Sequence, residues 1–415
     1  MRRFGSFAAA AVLTFAMVLT GCGNSGGAAS SSAAKSSAAG SSAASSAAGS
    51  SAAATDDKAA ADNVAKLIDA IYVQEANDKT DEQCKAAKDA WDKLTDKQKE
   101  MVKGEEADPD YFGRDTGDAS KDDPLNTDNI GDKEILVVSF GTSFNDSRAT
   151  DIGGIEKAIA KANPDWQVRR AFTAQIIINH VNARDGEKID NMDQALERAI
   201  KNNVKTLVVQ PTHLMHGAEY DELVAAIDKV KDKFTKVSIA EPLLGPVGKT
   251  GEEINADKQA VAKAVVAATA KSGGFSDAND AASKGTAFVL MGHGTSHNAK
   301  VTYTQMQTQM NKLGYKNVFI GTVEGEPEET SCKAVIEAVK KAGYKNVILR
   351  PLMVVAGDHA NNDMADPEDE ESWLAQFKAS KAFDKIDTQI EGLGRIEDVQ
   401  KLYVAHTATA VAAAK

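Results

Sequence analysis

Apolar residues from position 133 onward fall into short continuous runs separated by longer amphipathic stretches. The runs cover Ile135 to Phe140, Thr206 to Gln210, Ala287 to Met291 and Asn346 to Leu349. Continuous apolar runs of this length are typical of strands buried on both faces, and the stretches between them have the spacing of covering helices. The pattern therefore predicts an α/β fold with parallel strands.

Two pairs of motifs at the ends of these runs repeat each other. Residues 137–145, VVSFGTSFN, align with residues 290–298, LMGHGTSHN. Residues 211–219, PTHLMHGAE, align with residues 351–359, PLMVVAGDH. Internal repetition of this kind predicts two similar lobes, each a small parallel sheet flanked by helices. Because open α/β sheets bind ligands at the carboxyl ends of their strands, we expect a binding cleft at these four motifs.

The repeat also sets the division of the chain. We assign residues 133–284 to the first lobe and residues 285–415 to the second. Residues 104–132 are acidic and rich in Asp, Gly and Pro, which predicts a linker. Residues 56–103 have apolar positions at helical spacing and a capping box at Thr95 to Gln98, which predict a small helical module. This module resembles helical modules on the surface of Gram-positive bacteria, and we assign it no chemistry.

The first 22 residues have the features of an export signal. Arg2 and Arg3 precede an apolar run that is too short to span a bilayer comfortably. The run ends in Leu-Thr-Gly-Cys22, which resembles the bacterial lipobox, in which the Cys is acylated; a coincidental Cys in a plain secretory leader is the alternative. Residues 23–55 are almost wholly Ser, Ala and Gly, which predicts a disordered tether. We expect an exported protein anchored through Cys22 on the extracytoplasmic face of the membrane of a Gram-positive bacterium.

Charge and cysteine content narrow the choice of partners. The 415 residues include 60 acidic and 48 basic side chains, for a formal net charge of -12. A nucleic acid is therefore not an expected partner, because binding it depends on a basic surface. Cys84 and Cys332 fall in segments assigned to different domains, so we expect both to be free thiols.

The internal repeat distinguishes the candidate metal-binding histidines from the others. Glu219 and His359 occupy equivalent positions in the two repeats, whereas the position of His293 is occupied by Phe140 in the first repeat. Two imidazoles and one carboxylate suit a divalent first-row metal such as Co, Fe or Ni and leave positions open for water or substrate. For each residue alone, a hydrogen-bonded loop side chain is the common alternative, so the prediction of a metal site depends on the mutual alignment.

These motifs resemble those of the anaerobic-pathway sirohydrochlorin cobaltochelatases, which are class II chelatases. The resemblance covers residues 133 to 408 and lies in FGTS (140–143), RAFT (170–173), 213–221, MGHGTSH (291–297), VEGEP (323–327) and 351–364. It implies a two-lobed fold and a lyase of cobalamin biosynthesis that inserts Co²⁺ into sirohydrochlorin without ATP or another nucleotide; Fe²⁺ and Ni²⁺ are the alternative metals. It also implies that His293, Glu219 and His359 are the metal-binding and catalytic residues, with His293 as the proton acceptor.

Sirohydrochlorin carries several carboxylates, so such a cleft needs hydrogen-bond donors. Two Gly-Thr-Ser turns lead into predicted helices whose free amides can receive anions, namely Gly141-Thr142-Ser143 and Gly294-Thr295-Ser296. Arg170, together with Arg148 and Arg169, could add bidentate contacts, and solvated surface charge is the alternative. Candidate residues for the apolar walls, for which ordinary core packing is equally expected, are Phe140, Phe172, Met291, Met353 and Met364.

An extracytoplasmic lipoprotein that binds metal or tetrapyrrole without turnover is the alternative function, because the export signal separates the protein from a cytoplasmic precursor. The retention of all three candidate ligands favours the enzyme. His213 and His216 are not needed for the site: they could contact a second metal or a haem, and hydrogen bonding within their loop is the favoured alternative. The sequence is compatible with a homo-oligomer.

Overall fold

The computed structural model describes the backbone of residues 45–414 and the side chains of residues 55–414. The predicted export signal and the predicted tether up to residue 44 lie outside the described residues. The chain divides after Ala59 into two compact units, and the second holds both predicted lobes. No helix in the described part of the chain combines the length and the apolar character needed to cross a bilayer.

The helical module consists of α1 (Ser45–Ile71), α2 (Thr80–Trp91) and α3 (Asp96–Lys99). The first helix begins at Ser45, so the end of the predicted disordered tether, residues 45–55, is helical, in keeping with the high helix propensity of its alanines. The capping box at Thr95 is confirmed, because its hydroxyl accepts the Gln98 amide and the Gln98 side chain accepts the Thr95 amide. The apolar side chains of the module form a buried cluster together with Ala107 and Phe112 of the following segment and Ala183 of the first lobe.

The first lobe contains a four-stranded parallel sheet with the order β2-β1-β3-β4. Its strands are β1 (Lys133–Ser139), β2 (Gln167–Phe172), β3 (Thr206–Pro211) and β4 (Lys236–Ile239). Its helices are α4 (Asn145–Ser147), α5 (Gly153–Ala162), α6 (Gln175–Asp185), α7 (Met192–Lys201), α8 (Ala218–Val230), α9 (Ala256–Ser272) and α10 (Ala278–Ser283). A π-helical turn, Arg148–Ile152, joins α4 to α5.

The second lobe repeats this arrangement with the parallel order β6-β5-β7-β8. Its strands are β5 (Thr286–Gly292), β6 (Val318–Thr322), β7 (Asn346–Pro351) and β8 (Lys385–Thr388). Its helices are α11 (Val301–Lys312), α12 (Cys332–Ala342), α13 (Asp358–Asn361), α14 (Trp373–Ala379) and α15 (Glu397–Ala413). The α/β fold with two similar lobes is therefore confirmed.

The two lobes share one apolar core, which includes Ile135 of β1 and Phe288 of β5. The C-terminal helix α15 follows the second sheet in sequence but packs against α5, α9 and β3. Its Tyr403 hydroxyl donates to the Thr212 carbonyl over 2.7 Å, and its Thr407 hydroxyl donates to Gln210 over 2.7 Å. These two bonds tie α15 to the carboxyl end of β3 in the first sheet. Both Cys84 and Cys332 are buried free thiols, as expected.

Candidate active site at the ends of the second sheet

Three chemically active side chains follow three neighbouring strands of the second sheet. His293 comes directly after β5, Glu324 follows β6, and His359 lies in α13 after β7. Strand β5 lies between β6 and β7. Because the strands are parallel, their carboxyl ends meet at one edge of the sheet, which brings these residues to the same place.

The rings of His293 and His359 are in contact, with centroids 4.5 Å apart and planes at 78°. Nδ1 of His293 lies 2.9 Å from the Gly294 carbonyl oxygen, and Nδ1 of His359 lies 2.6 Å from Oδ2 of Asp363. A carbonyl or carboxylate oxygen only accepts hydrogen bonds, so each Nδ1 carries the proton. In the neutral rings this leaves both Nε2 lone pairs available to a metal, and the Nδ1 bonds fix the ring orientations.

The surroundings give the two imidazoles different proton affinities. Partial removal from water and the neighbouring His359 lower the pKa of His293, which favours its neutral form, although the residue remains exposed to solvent. Burial also acts to lower the pKa of His359, but the hydrogen bond and charge of Asp363, together with the charge of Asp358, outweigh it and raise that pKa. His293 is therefore the better placed of the two to accept a metal or a proton near pH 7.

Glu324 is a candidate site residue to which the sequence had assigned no role. Its backbone amide donates to the His293 carbonyl over 2.9 Å. Its negative charge acts to raise the pKa of both histidines, although the pKa of His293 is lowered overall. A Cβ added to Gly294, which has φ +97°, would stand 2.7 Å from the Glu324 Cβ, so glycine allows this close approach. The position of VEGEP after an apolar run next to β5 is the sequence signal that could have identified it.

Glu219 has the position in the first lobe that the repeat predicts. It is the second residue of α8 after an N-cap at Gly217, as His359 is the second residue of α13 after an N-cap at Gly357. The Glu219 side chain is 48% exposed, and its Oε2 lies 3.6 Å from Nε2 of His213. Partial removal of the carboxyl from water, together with the negative charge of Glu222, raises the pKa of Glu219 to about 7. Within the described residues, no three His, Cys, Asp or Glu side chains are grouped as a metal site. A ligand role for Glu219 therefore stays a prediction.

The two Gly-Thr-Ser turns have the same geometry in the two lobes. Gly141 has φ +106°, and the hydroxyls of Thr142 and Thr295 each accept the amide two residues ahead, over 3.1 Å. A Cβ at Gly141 would meet the ring of Phe172 at 2.6 Å. Both turns lead into helices, as expected, and Ser143 and Ser296 remain accessible to solvent. Their role in binding carboxylates stays a prediction.

The three arginines are not cleft donors, which corrects their assignment. Arg170 is 1% exposed, and its guanidinium hydrogen-bonds both Glu156 and Asp122. Arg148 and Arg169 are also fully buried in ion pairs with carboxylates. A guanidinium removed from water needs such partners, so these charges neutralise acidic groups inside the lobe and cannot reach a substrate.

Among the candidate wall residues, Phe140 is 46% exposed at the position equivalent to His293. Phe172, Met291 and Met364 are fully buried and belong to the core, while Met353 is half-buried. Only Phe140 and Met353 of this set can therefore contact a ligand.

The two remaining loop histidines differ. Nε2 of His216 donates a 2.7 Å hydrogen bond to Oε2 of Glu241, which follows β4, so its partner lies in a different loop from the one expected. His213 is buried, neither of its ring nitrogens has a hydrogen-bond partner among the described residues, and burial lowers its pKa to about 4.

Comparison with known proteins agrees with the repeated motifs. The sequence pattern of the family described as cobalt chelatase (CbiK) matches residues 133–412. The sirohydrochlorin cobaltochelatase of Salmonella typhimurium is 32% identical over 274 residues, which are 66% of this chain and 94% of that protein. Sirohydrochlorin cobaltochelatase CbiKC of Nitratidesulfovibrio vulgaris is 29% identical over 283 residues, covering 68% of this chain and 91% of that protein. The solved structure of SirB from Bacillus subtilis with Fe³⁺ is similar with a TM-score of 0.47 at 17% identity, over 68% of this chain and 97% of that one.

Proposed function

The chain belongs to the cobalt chelatase (CbiK) family, and we propose that it inserts Co²⁺ into sirohydrochlorin without ATP. It is an enzyme of the chelatase type, and its named relatives act on sirohydrochlorin. The observation that carries the proposal is the His293–His359 pair, whose rings lie 4.5 Å apart with Nδ1 of each ring engaged by the protein. A pair of oriented imidazoles that keep their Nε2 atoms open suits a metal that must be bound and then released.

Insertion requires that the metal lose water and that two pyrrole N–H groups lose their protons. In our proposal, Nε2 of His293 and Nε2 of His359 hold the incoming Co²⁺, which is a substrate of the reaction. As the metal passes to the macrocycle, Nε2 of His293 is released and takes up one pyrrole proton, because the lowered pKa of His293 keeps the ring neutral near pH 7, and the second pyrrole proton passes to water. The exposed ring of Phe140, at the equivalent position in the first lobe, offers a flat apolar surface for the macrocycle.

The direct test is a metallation assay with the full-length chain, sirohydrochlorin and Co²⁺, in which the absorbance spectrum of the macrocycle is followed over time. Fe²⁺ and Ni²⁺ serve as comparison metals, and a reaction without protein gives the uncatalysed rate. Many turnovers per protein molecule support the enzyme. A spectral change that stops at one macrocycle per protein molecule would instead support the binding lipoprotein.

Two carboxylates are candidates for a third metal ligand, Glu324 beside both histidines and Glu219 from the first lobe. We propose Glu324, because it follows β6 at the same edge of the sheet as both histidines and its backbone amide donates to the His293 carbonyl over 2.9 Å. We expect Glu324→Gln to weaken Co²⁺ binding by about 100-fold. Loss of a group that only orients a metal ligand typically costs about 10- to 100-fold in affinity, so loss of a ligand should reach the upper end of that range. Glu219→Gln serves as the matched variant, with affinities measured by Co²⁺ titration. If Glu219→Gln shows the loss and Glu324→Gln does not, the ligand is the one predicted from the repeat.

We further propose that the protein is a lipoprotein acylated at Cys22 and held on the extracytoplasmic face of the membrane, supported by the resemblance of residues 19–22 to a lipobox. Cys22→Ala is expected to release the protein from the membrane fraction and to abolish the mass added by the lipid. Membrane fractionation and mass spectrometry of both forms test this. A variant that stays membrane-bound without a lipid would contradict the anchor.

A further inference from the structure

The residues before the family match dock on the first lobe. The segment of the second compact unit that precedes this match, residues 60–132, is called the extension here. Its Cys84 thiol donates to the Asn179 carbonyl over 3.5 Å, and the Asn179 side chain donates to the Ile71 carbonyl over 2.9 Å. Its Tyr111 ring stacks on His180 with centroids 4.1 Å apart. Both lobe residues lie in α6, so the extension is fixed to that helix.

The extension also reaches the second lobe at the turn that carries His359. Nη1 of Arg114 donates to Oδ1 of Asn362 over 2.7 Å. The Asn362 side chain in turn donates to Oδ1 of Asp358 over 2.6 Å, and its backbone amide donates to the Asp358 carbonyl over 2.7 Å. Asn362 therefore closes the turn in which His359 lies, and the charged guanidinium holds Asn362 from outside.

Neighbouring residues of the extension contact the start of α4, directly after the Gly-Thr-Ser turn of the first lobe. The Thr116 carbonyl accepts the Asp146 amide over 2.9 Å, and the Gly117 carbonyl accepts the Asn145 side chain over 3.3 Å. The Arg114 guanidinium itself lies 5.9 Å from the centroid of the Phe144 ring. A span of four residues, 114–117, thus joins the rim of one lobe to the histidine-bearing turn of the other.

We propose that Arg114 is a positioning residue for His359, so that the extension completes the metal-binding side of the cleft. The Arg114 guanidinium hydrogen-bonds Asn362 and Asp110, so it acts on His359 through Asn362. The geometry of a metal-binding imidazole depends on the groups that hold its backbone and its second ring nitrogen, and loss of such groups typically costs about 10- to 100-fold in metal affinity. This inference rests on the proposed function, since it assumes that His359 binds the metal.

The test compares Co²⁺ affinity, kinetics and folding of full-length variants. Arg114→Ala is expected to weaken Co²⁺ binding by about 10- to 100-fold, with a higher metal concentration for half-maximal rate and a nearly unchanged rate at saturating metal. Asn362→Ala removes the other partner of this contact and should weaken Co²⁺ binding by the same factor. The double variant of Arg114→Ala and Asn362→Ala should then show no further loss of affinity. Lys188→Ala is the matched control, because it removes an ion pair between the extension and the first lobe, to Asp81, without touching the turn.

The outcomes separate this inference from the function on which it rests. If Arg114→Ala and Asn362→Ala keep wild-type Co²⁺ affinity while His359→Ala loses it, the positioning role is wrong and the metal site stands. If His359→Ala also keeps wild-type affinity, the proposed metal site itself is wrong. Should Arg114→Ala fail to fold, Arg114→Lys replaces it and is expected to bind Co²⁺ more tightly than Asn362→Ala, because it keeps a donor to Asn362. Wild-type affinity in a folded Asn362→Ala would then overturn the proposal.

Discussion

Replacing His293 with alanine is expected to lower the rate of metal insertion by about 10²- to 10⁴-fold at saturating Co²⁺, the range typical of losing a positioned general base. The structure gives this residue an environment suited to the role, because partial removal from water and His359 lower its pKa and its Nδ1 is held by the Gly294 carbonyl. Its position in the first lobe is occupied by Phe140, so the repeat supplies no second base there.

His359→Ala is the informative comparison, because it removes the partner imidazole but not the proposed base. We expect it mainly to weaken metal binding, so that a high Co²⁺ concentration restores part of the rate. Steady-state kinetics with varied metal distinguish the two variants: both should need more metal, but only His293→Ala should keep a low rate when the metal is saturating. Wild-type rates and wild-type metal dependence in both variants would show that the site is elsewhere.

The sequence located the strands that are central in each sheet and missed those at the edges. The four apolar runs correspond to β1, β3, β5 and β7, each of which has a neighbour on both sides. The edge strands β4 and β8 have only 4 residues each and mix polar with apolar residues, so their pattern does not stand out from loops. In the other two edge strands, β2 is interrupted by Arg169 and Arg170, and the apolar run of β6 is short, because that strand has 5 residues and ends in Gly-Thr. The repeat then fixed the two-lobed arrangement, which no single strand could show.

The same limitation explains the site. His293 and His359 were predicted because they follow central strands in repeated motifs. Glu324 follows the edge strand β6, which the apolar pattern did not identify, so its approach to the histidines became visible only in the structure. Arg170 was assigned to the cleft because a sequence does not reveal which carboxylate a buried guanidinium meets; its partner Asp122 lies 48 positions earlier, in a segment assigned to a linker.

That segment places a buried carboxylate, Asp122, between two arginines of the first lobe. The Asp122 side chain is 2% exposed and accepts hydrogen bonds from both Arg148 and Arg170, at 2.6 to 2.8 Å. Although burial alone would raise the pKa of Asp122, the two guanidinium groups lower it below its usual 3.8. Residue 122 therefore ties the acidic segment into the first lobe, ahead of the start of the family match at 133.

Asp122→Ala is accordingly expected to reduce the free energy of unfolding by about 3–5 kcal/mol, because it leaves two buried guanidinium groups without one of their carboxylates. Asp128→Ala is the matched control: it removes an exposed ion pair to Arg198 and should cost about 0–1 kcal/mol. Because the folded-state pKa of Asp122 is depressed, its stabilisation is complete above pH 3.8 and is lost as the pH falls through the lower folded-state value, a loss that the variant should lack. Urea unfolding of wild type and both variants between pH 3 and 7 measures this. Equal stabilities for Asp122→Ala and Asp128→Ala would show that the segment is only a linker.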